Sequence, residues 1–315
     1  MRKSFGVFVL GAFSLVGVKG ASAAPNGYVS TPFADQVVVF DTADNSIVTT
    51  VGVGKFPRGL AVSPDGSKVY VANQGDDTNS IASSISVIDT ASNTAGTPIE
   101  TSSDGSAQTE FVIFSPDGSK AYASNGGTDE VVVMDTATDS IIDNIPTGAR
   151  PQGLAVNHAG TRLYAANQTD GTVTVIDTSN DQVVTTVVVS PTAGCSQVLV
   201  TLDDKKIYVS NAFDNSVSVI DASNNTVSGS PIPMDPAGVP YGLLLTSDGS
   251  TVAVFEHIGN AIKIIDVATD QVVDTVPIPG TDPFLAVFHP TSGLAYFAGG
   301  HVNTINPVGT VLVAP

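Results

Sequence analysis

One short pattern recurs along the chain and constrains its fold more than any other feature. In its clearest copy, GLAVSPDGSKVYVAN at residues 59–73, two apolar runs flank Ser63-Pro64-Asp65-Gly66. Proline sets φ at the second position of a β-turn, and glycine supplies the positive φ that closes it. The pattern therefore predicts a β-hairpin. Further copies lie at residues 111–125, 153–167, 198–211, 242–255 and 286–299.

A second pattern, V-x-V-I-D-T, follows most of these hairpins and predicts a third strand, and runs such as IVTTV at 47–51 predict a fourth. Its aspartates occur at regular intervals of 42 to 48 residues, at positions 41, 89, 135, 177, 221 and 266. Runs such as residues 37–40 and 131–134 are apolar without polar alternation, which indicates strands covered on both faces. A period in the forties with four strands per repeat is typical of a β-propeller.

The number of strand copies predicts the number of blades. The second and third strand types each occur seven times, whereas the first occurs six times. We therefore predict an all-β, seven-bladed β-propeller whose N-terminal blade is three-stranded, with six blades as the alternative. Residues 301–307 are a degraded third strand, and 310–315 are expected to return from it as a hairpin, because only three residues separate the two runs.

The first 23 residues have the pattern of a secretory signal peptide. Arg2 and Lys3 precede an apolar run at residues 5–18, and Ala21 and Ala23 form an A-x-A cleavage site. We therefore expect a single propeller domain at residues 24–315, exported to the periplasm or secreted. No later run approaches the roughly 20 apolar residues that a membrane span needs.

The chain is strongly acidic, with 12 basic and 30 acidic residues and a net charge of −18. Removal of residues 1–23 takes Arg2, Lys3 and Lys19 but no acidic residue, which leaves a net charge of −21. Nucleic acid is thereby disfavoured as a partner, because lysine and arginine supply most of the affinity for phosphates. The single cysteine, Cys195, has no second cysteine for an internal disulfide. We expect a monomer.

The repeated cycle resembles the YVTN-family β-propeller repeat. The resemblance rests on YVAN at residues 70–73, YASN at 122–125, YAAN at 164–167 and YVSN at 208–211, and it covers residues 28–315. It implies a seven-bladed propeller. Relatives include surface-layer proteins, DNA-binding or uncharacterised periplasmic propellers, lactonase-like enzymes and subunits of redox complexes, so the resemblance leaves the activity open.

The loops are expected to sort onto two faces, because neighbouring strands run in opposite directions. We expect the S-P-D-G and I-D-T turns on one face, and the connectors between blades on the other, together with the loops after the YVAN strands. We call the second the connector face. It is the candidate site, because its loops are longer and more varied. At the middle of each P-x-G connector, which opens onto the central channel, the chain offers Arg58, Thr109, Gln152, Ser196, Tyr241 and Phe284.

Two hypotheses of different class follow for this face. The favoured one is an exported, non-catalytic platform that binds a protein, peptide or small ligand, since the chain lacks a G-x-S-x-G elbow, a haem motif and a Walker loop. The alternative is a lactonase-like hydrolase or isomerase using Arg58 with His257 or His301. We expect no cofactor and no metal, because only His257 and His301 could approach each other and zinc needs three or four ligands.

Overall fold

The computed structural model describes residues 13–15, 26–44, 46–103, 105–192, 194–278, 283–288, 294–299 and 311–312. In this part of the chain there is no α-helix, and a single 3-10 turn, Pro32–Ala34, interrupts the strands. The prediction of an all-β propeller is confirmed. No helix among these residues has the length and apolar character needed to cross a membrane.

The described strands form seven antiparallel sheets, which we number in chain order. Sheet 1 contains β1 (Phe13–Leu15), β2 (Asn26–Thr31), β3 (Gln36–Asp41) and β4 (Ile47–Gly52). Sheet 2 contains β5 (Pro57–Val62), β6 (Lys68–Asn73), β7 (Ser83–Asp89), β8 (Thr94–Ala95) and β9 (Ile99–Ser102). Sheet 3 contains β10 (Thr109–Phe114), β11 (Lys120–Asn125), β12 (Glu130–Asp135) and β13 (Ser140–Pro146).

Sheets 4 to 7 repeat the same plan. Sheet 4 contains β14 (Pro151–Val156), β15 (Arg162–Asn167), β16 (Thr172–Asp177) and β17 (Gln182–Val188). Sheet 5 contains β18 (Cys195–Val200), β19 (Lys206–Asn211), β20 (Ser216–Asp221), β21 (Thr226–Val227) and β22 (Ile232–Pro233). Sheet 6 contains β23 (Pro240–Leu245), β24 (Thr251–Glu256), β25 (Ala261–Asp266) and β26 (Gln271–Pro277). Sheet 7 contains β27 (Pro283–Phe288), β28 (Leu294–Gly299) and β29 (Val311–Leu312).

The first strands of the sheets surround the central channel. They contact one another in the order β1, β5, β10, β14, β18, β23 and β27, and β27 contacts β1. The apolar core lies between neighbouring sheets: one cluster joins Tyr28, Val37 and Val39 of sheet 1 to Leu60 and Val71 of sheet 2. Equivalent clusters join sheets 2 and 3, 3 and 4, 4 and 5, and 5 and 6. This arrangement buries both faces of the third strands, as their unbroken apolar runs predict.

Sheet 1 has four strands, where three were predicted. Its inner strand is Phe13–Leu15, in which Ser14 pairs with Tyr28 as Ala61 pairs with Tyr70 in sheet 2. Phe13-Ser14-Leu15 has the apolar, small, apolar pattern of Leu60-Ala61-Val62, so it fits the same position. The strand lies inside the segment that we interpret as a signal peptide.

Sheet 7 also differs from expectation. Val311 and Leu312 pair directly with Ala295 and Leu294 of β28, in the place that a third strand takes in the other sheets. The predicted third strand at residues 301–307 lies outside the described residues.

Repeated ion pairs join neighbouring sheets near the face that carries the S-P-D-G and I-D-T turns, which we call the turn face. Lys68 of sheet 2 donates to both carboxylate oxygens of Asp139 in sheet 3, at 2.8 and 2.9 Å, and the Tyr70 hydroxyl donates to the same carboxylate. Lys206 and Tyr208 of sheet 5 bind Asp270 of sheet 6 in the same way. Each of these bonds links residues more than 60 positions apart in sequence and so fixes one sheet against the next.

Candidate functional site

The pairing register defines a ring of equivalent residues around the channel. In sheets 2 to 7, the first residue of the inner strand pairs with the last residue of the second strand, as Pro57 pairs with Asn73. A register shift follows at once, so the next residue stands outside the regular ladder. That next residue is Arg58, Glu110, Gln152, Ser196, Tyr241 or Phe284.

This register corrects one of the predicted positions. Thr109 pairs with Asn125 and is therefore the equivalent of Pro57, whereas Glu110 is the equivalent of Arg58. The sequence Gln108-Thr109-Glu110-Phe111 contains neither the proline nor the glycine of P-x-G. Only the hydrogen-bonded ladder shows which residue belongs to the ring.

Ring residues from four sheets meet in one polar cluster. Glu110, which is only 4% exposed, accepts hydrogen bonds from Gln152 Nε2 at 2.8 Å and from Arg150 Nη2 at 3.1 Å. The Tyr241 hydroxyl donates to Gln152 Oε1 at 3.1 Å, and burial raises the pKa of Tyr241, so the phenol stays protonated. We call Arg58, Glu110, Arg150, Gln152 and Tyr241 the channel cluster.

Arg58 brings a cation to this cluster. Its Nε and Nη2 atoms both donate to Gln74 Oε1, at 2.9 and 2.6 Å. Burial lowers the pKa of Arg58, and the Glu110 carboxylate opposes that effect. Arginine remains charged even after such a shift, so a desolvated cation lies beside the channel.

A cleft of about 230 Å³ opens next to Arg58 on the connector face. It lies between the corner of sheet 1, the loop after β6 and the connector to β10. Its lining residues are Pro32, Phe33, Phe56, Arg58, Gln74, Gly75, Asp76, Asp77, Gly105 and Gln108. Connector and post-YVAN residues thus line one cavity, which agrees with the predicted sorting of loops.

Residues with left-handed backbone precede the inner strands. Phe56, Gln108, Arg150 and Val239 have φ of 50°, 49°, 57° and 51°. A bulky or β-branched residue with positive φ is uncommon and persists where its surroundings hold it, as functional sites often do.

Side chains of the preceding sheet provide this support. The Phe56 N–H donates to Asp35 Oδ1 at 3.0 Å, the Arg150 N–H to Asp129 Oδ1 at 2.7 Å and the Val239 N–H to Asn215 Oδ1 at 2.9 Å. The Asp35 carboxylate also binds Lys55, whose ammonium lies 5.7 Å from the centre of the Phe56 ring. The same kind of hydrogen bond therefore holds the backbone in place at three points around the channel mouth.

Of the remaining predicted site residues, Ser196, Phe284 and His257 lie in described parts of the chain, and His301 does not. Ser196 is fully buried and its hydroxyl donates to the Gly194 carbonyl at 3.1 Å. Phe284 lies in β27 at the ring position. His257 lies in the turn after β24, where its N–H donates to the Val239 carbonyl, and His301 lies outside the described residues.

The surroundings of Cys195 favour a structural role. Its thiol is buried and lies 3.6 Å from Asn211 Oδ1, and burial raises its pKa to about 12. Thr109 donates to Asn125 from the equivalent position in sheet 3, so the Cys195 thiol makes the same kind of contact as that hydroxyl. A thiol with such a pKa holds almost no thiolate at neutral pH and is a poor nucleophile.

The recurrent aspartates and asparagines cap turns and strand ends. Asp89 accepts from the Ser92 N–H at 2.8 Å, and Asn73 donates to the hydroxyls of Ser84 and Ser86. Among the described residues, no group of three His, Cys, Asp or Glu side chains is arranged to hold a metal ion.

Sequence reasoning missed Glu110, Arg150, Gln74, Phe33 and Phe56. Four of them have a signal in the chain. Phe56 and Arg150 occupy the same place in G-K-F-P-R-G and G-A-R-P-Q-G. Gln74 follows Y-V-A-N as Gln168 follows Y-A-A-N, and Phe33 stands in Y-V-S-T-P-F as Phe213 stands in Y-V-S-N-A-F. Glu110 has no counterpart of its own type at the ring position.

Solved structures share this architecture. A chain of Kuenenia stuttgartiensis hydrazine synthase superposes with a TM-score of 0.75 at 22% identity, over 87% of this chain and 89% of that one. The β-propeller domain of Cps50 (Swd1) from Myceliophteria thermophila gives 0.71 at 12%, over 91% and 96%. A functionally unknown protein from Desulfotomaculum acetoxidans gives 0.67 at 14%, over 92% and 89%. At these identities the likeness concerns the fold.

None of the curated protein sequences matches the chain. The family model of the YNCE-like β-propellers matches residues 14–289. The chain belongs to the YNCE-like β-propeller family.

Proposed function

We propose that this protein is an exported, non-catalytic binding protein that holds a ligand or partner on its connector face, at the mouth of the central channel. One observation carries the proposal: the channel cluster brings five polar side chains from four sheets to a single place beside an open cleft. Convergent polar groups next to a cavity are the usual form of a small-molecule site.

The rigidity of the mouth supports binding. The left-handed residues before the inner strands are held by hydrogen bonds from the neighbouring sheet. A ligand that meets a preformed site loses less free energy to ordering of the protein. The fold thus compensates the backbone strain at Phe56, Arg150 and Val239. The backbone held in this way positions the side chains around the channel mouth.

The number of blades and the extent of the exported domain are part of the same proposal. We take the seven described sheets as the seven blades of a propeller, and residues 24–315 as the exported domain in the periplasm or medium. Cleavage after Ala23 would remove Phe13–Leu15 and leave β2 as the inner edge of sheet 1, as the strand count predicts.

The lactonase-like alternative makes a different demand, because it requires Arg58 and a loop histidine to act on one substrate. The described partners of Arg58 are Gln74 by hydrogen bonds and Glu110, Tyr241 and Arg150 by charge. Such groups can bind and orient a ligand, but no histidine is among them to act as the general base. Hydrolysis of sugar lactones or muconolactones above background would favour the enzyme.

Binding is tested by capture and by thermal shift. The wild-type protein and the Arg58→Gln variant would be used to capture partners from the native cell envelope, and both would be melted against a panel of small metabolites. We expect at least one partner or ligand that the variant loses. Arg162→Gln, which removes an ion pair with Asp177 on the turn face, is the matched control. Equal capture and equal shifts by all three proteins would contradict the proposal.

A further inference from the structure

The cleft beside Arg58 combines this one residue of the channel cluster with two further surfaces of different chemistry. Its base is the guanidinium of Arg58, one wall is aromatic, and its rim carries two carboxylates. Each surface favours a different part of a ligand, so together they restrict its class.

The base is suited to a carboxylate. The Nε and Nη2 atoms of Arg58 share the single Oε1 of Gln74. A carboxylate has two oxygens and can accept one hydrogen bond from each of these nitrogens, which is the bidentate pairing that arginine makes with carboxylates. A carboxylate would replace a neutral acceptor by a charged one, and charge-assisted hydrogen bonds are about twice as strong. Gln74 lies in the first turn after β6, so its side chain can move aside without a change in the sheet.

The wall is formed by Phe33 and Phe56, whose rings meet edge to face with centroids 6.3 Å apart. Phe33 is 60% exposed, so much of its ring is open to solvent. Phe56 is held with positive φ, and the Gln74 N–H donates to its carbonyl at 3.0 Å. The pair therefore presents a fixed apolar surface to the cleft.

The rim is a constrained loop after β6. Asp76 and Ile81 exchange backbone hydrogen bonds at 3.0 and 2.8 Å, and the Asn79 amide donates to the Asp76 carboxylate at 2.6 Å. Gly75 and Gly105 have positive φ, and a Cβ on either would lie within 2.6 Å of the Ile81 carbonyl. The loop thus holds the Asp76 carboxylate in place, with the exposed Asp77 next to it.

We infer that this cleft binds a free α-amino acid with a large apolar side chain, such as phenylalanine. The ligand carboxylate lies on Arg58, its ammonium on Asp76 and Asp77, and its side chain on the wall of Phe33 and Phe56. The cleft volume is below the roughly 300–1,000 Å³ of sites for drug-sized ligands, which suits a ligand of this size. The inference rests on the proposed function, because it names the ligand class of the same face.

Titration calorimetry with four compounds tests each surface separately. L-phenylalanine carries all three groups, phenylacetate lacks the ammonium, 2-phenylethylamine lacks the carboxylate, and L-alanine lacks the ring. We expect saturable 1:1 binding of L-phenylalanine and an affinity at least about tenfold weaker for each of the other three compounds, because each lacks one of the three contacts.

Variants connect each loss to a residue. Asp77→Asn lies on the exposed rim and should leave folding unchanged, weaken L-phenylalanine about tenfold and leave phenylacetate unaffected. Phe33→Ala should weaken the binding of L-phenylalanine more than that of L-alanine. Arg58→Gln should weaken the binding of both L-phenylalanine and phenylacetate. Arg162→Gln should behave like the wild type.

The outcomes separate this inference from the proposed function. No heat with 10 mM L-phenylalanine, or equal affinity for phenylacetate, would overturn the amino-acid ligand. If another compound or an envelope partner still binds in an Arg58-dependent manner, the proposed function stands. If nothing binds in that manner, both are overturned.

Discussion

At the scale of single residues, burial decides which side chains act as chemical groups and which as structural ones. Cys195 and Glu110 both lie near the channel and both are almost inaccessible to solvent. Burial suppresses ionisation of the thiol. Glu110 instead has hydrogen-bond donors on both carboxylate oxygens. Adjacent positions at the start of the inner strands therefore leave one group inert and give the other a role in organising the cluster.

Cys195 should not react with thiol reagents in the folded protein. Its raised pKa leaves almost no thiolate at pH 8, and its side chain is fully buried. With a disulfide reagent that releases a chromophore, we expect no labelling of the native protein over hours and one equivalent in guanidinium chloride. Rapid stoichiometric labelling under native conditions would show that the thiol is accessible.

Replacing Glu110 by alanine should destabilise the protein by about 1–3 kcal/mol, because Arg150 and Gln152 would lose the acceptor that they share. Urea unfolding measures the change. The control is Lys205→Ala, which removes an exposed pair with Asp203, with side chains 78% and 56% exposed. That variant should change stability by less than about 1 kcal/mol. Equal effects would mean that the channel cluster contributes nothing beyond a surface pair.

At the scale of the element, glycines permit the inner strands to approach each other. A Cβ on Gly59 of β5 would lie 2.8 Å from the Glu110 carbonyl oxygen and 2.9 Å from Phe111 Cα. Both atoms belong to the backbone of β10, which cannot move independently of its sheet. The glycine of P-x-G is thus a packing requirement where β5 meets β10, and Gly153 meets the backbone of Ser196 and Gln197 in the same way where β14 meets β18.

Gly59→Ala should lower stability by about 1–3 kcal/mol, the usual cost of overpacking. Gly52→Ala in the outer strand β4 is the matched control, because nothing lies within 4 Å of its added Cβ. We expect the control to melt within about a degree of the wild type and the β5 variant several degrees lower. A neutral Gly59→Ala would mean that the inner strands can move apart.

At the scale of the whole molecule, acidity is accommodated by repeated turn geometry. The turn aspartates accept hydrogen bonds from hydroxyls and N–H groups, and these bonds lower their pKa values. For Asp65 the bond from Ser63 is the main cause, and its pKa falls to about 2. Glu256 behaves oppositely, since burial raises its pKa.

Stability should therefore fall steeply in acid. A carboxylate whose pKa is lower in the folded state stabilises fully above its unfolded pKa, about 3.9, and loses that contribution as the pH falls towards 2. We expect a melting temperature that is steady above about pH 5 and declines between pH 4 and pH 2. Asp65→Asn should reduce the decline slightly, because it removes one carboxylate whose pKa is lowered in the folded state. A melting temperature that rises below pH 4 would show that relief of negative self-repulsion dominates.

The architecture was predictable from the chain because its signals are local and repeated. Turn residues at Pro64, Asp65 and Gly66 mark the hairpins, unbroken apolar runs mark strands covered on both faces, and the spacing of the I-D-T aspartates marks the repeat. The connector face also followed from the chain, since strand direction alone sorts the loops.

The composition of the channel cluster was decided by the tertiary structure. Glu110 is separated from Arg58 by 52 positions and from Tyr241 by 131, and only ring closure brings these residues together. A register shift of one residue distinguishes Glu110 from Thr109, and it depends on hydrogen bonds to β11 that no local pattern records. Repeats determine an architecture because each copy restates it, whereas a site assembled from their differences exists only once the copies are packed around a common axis.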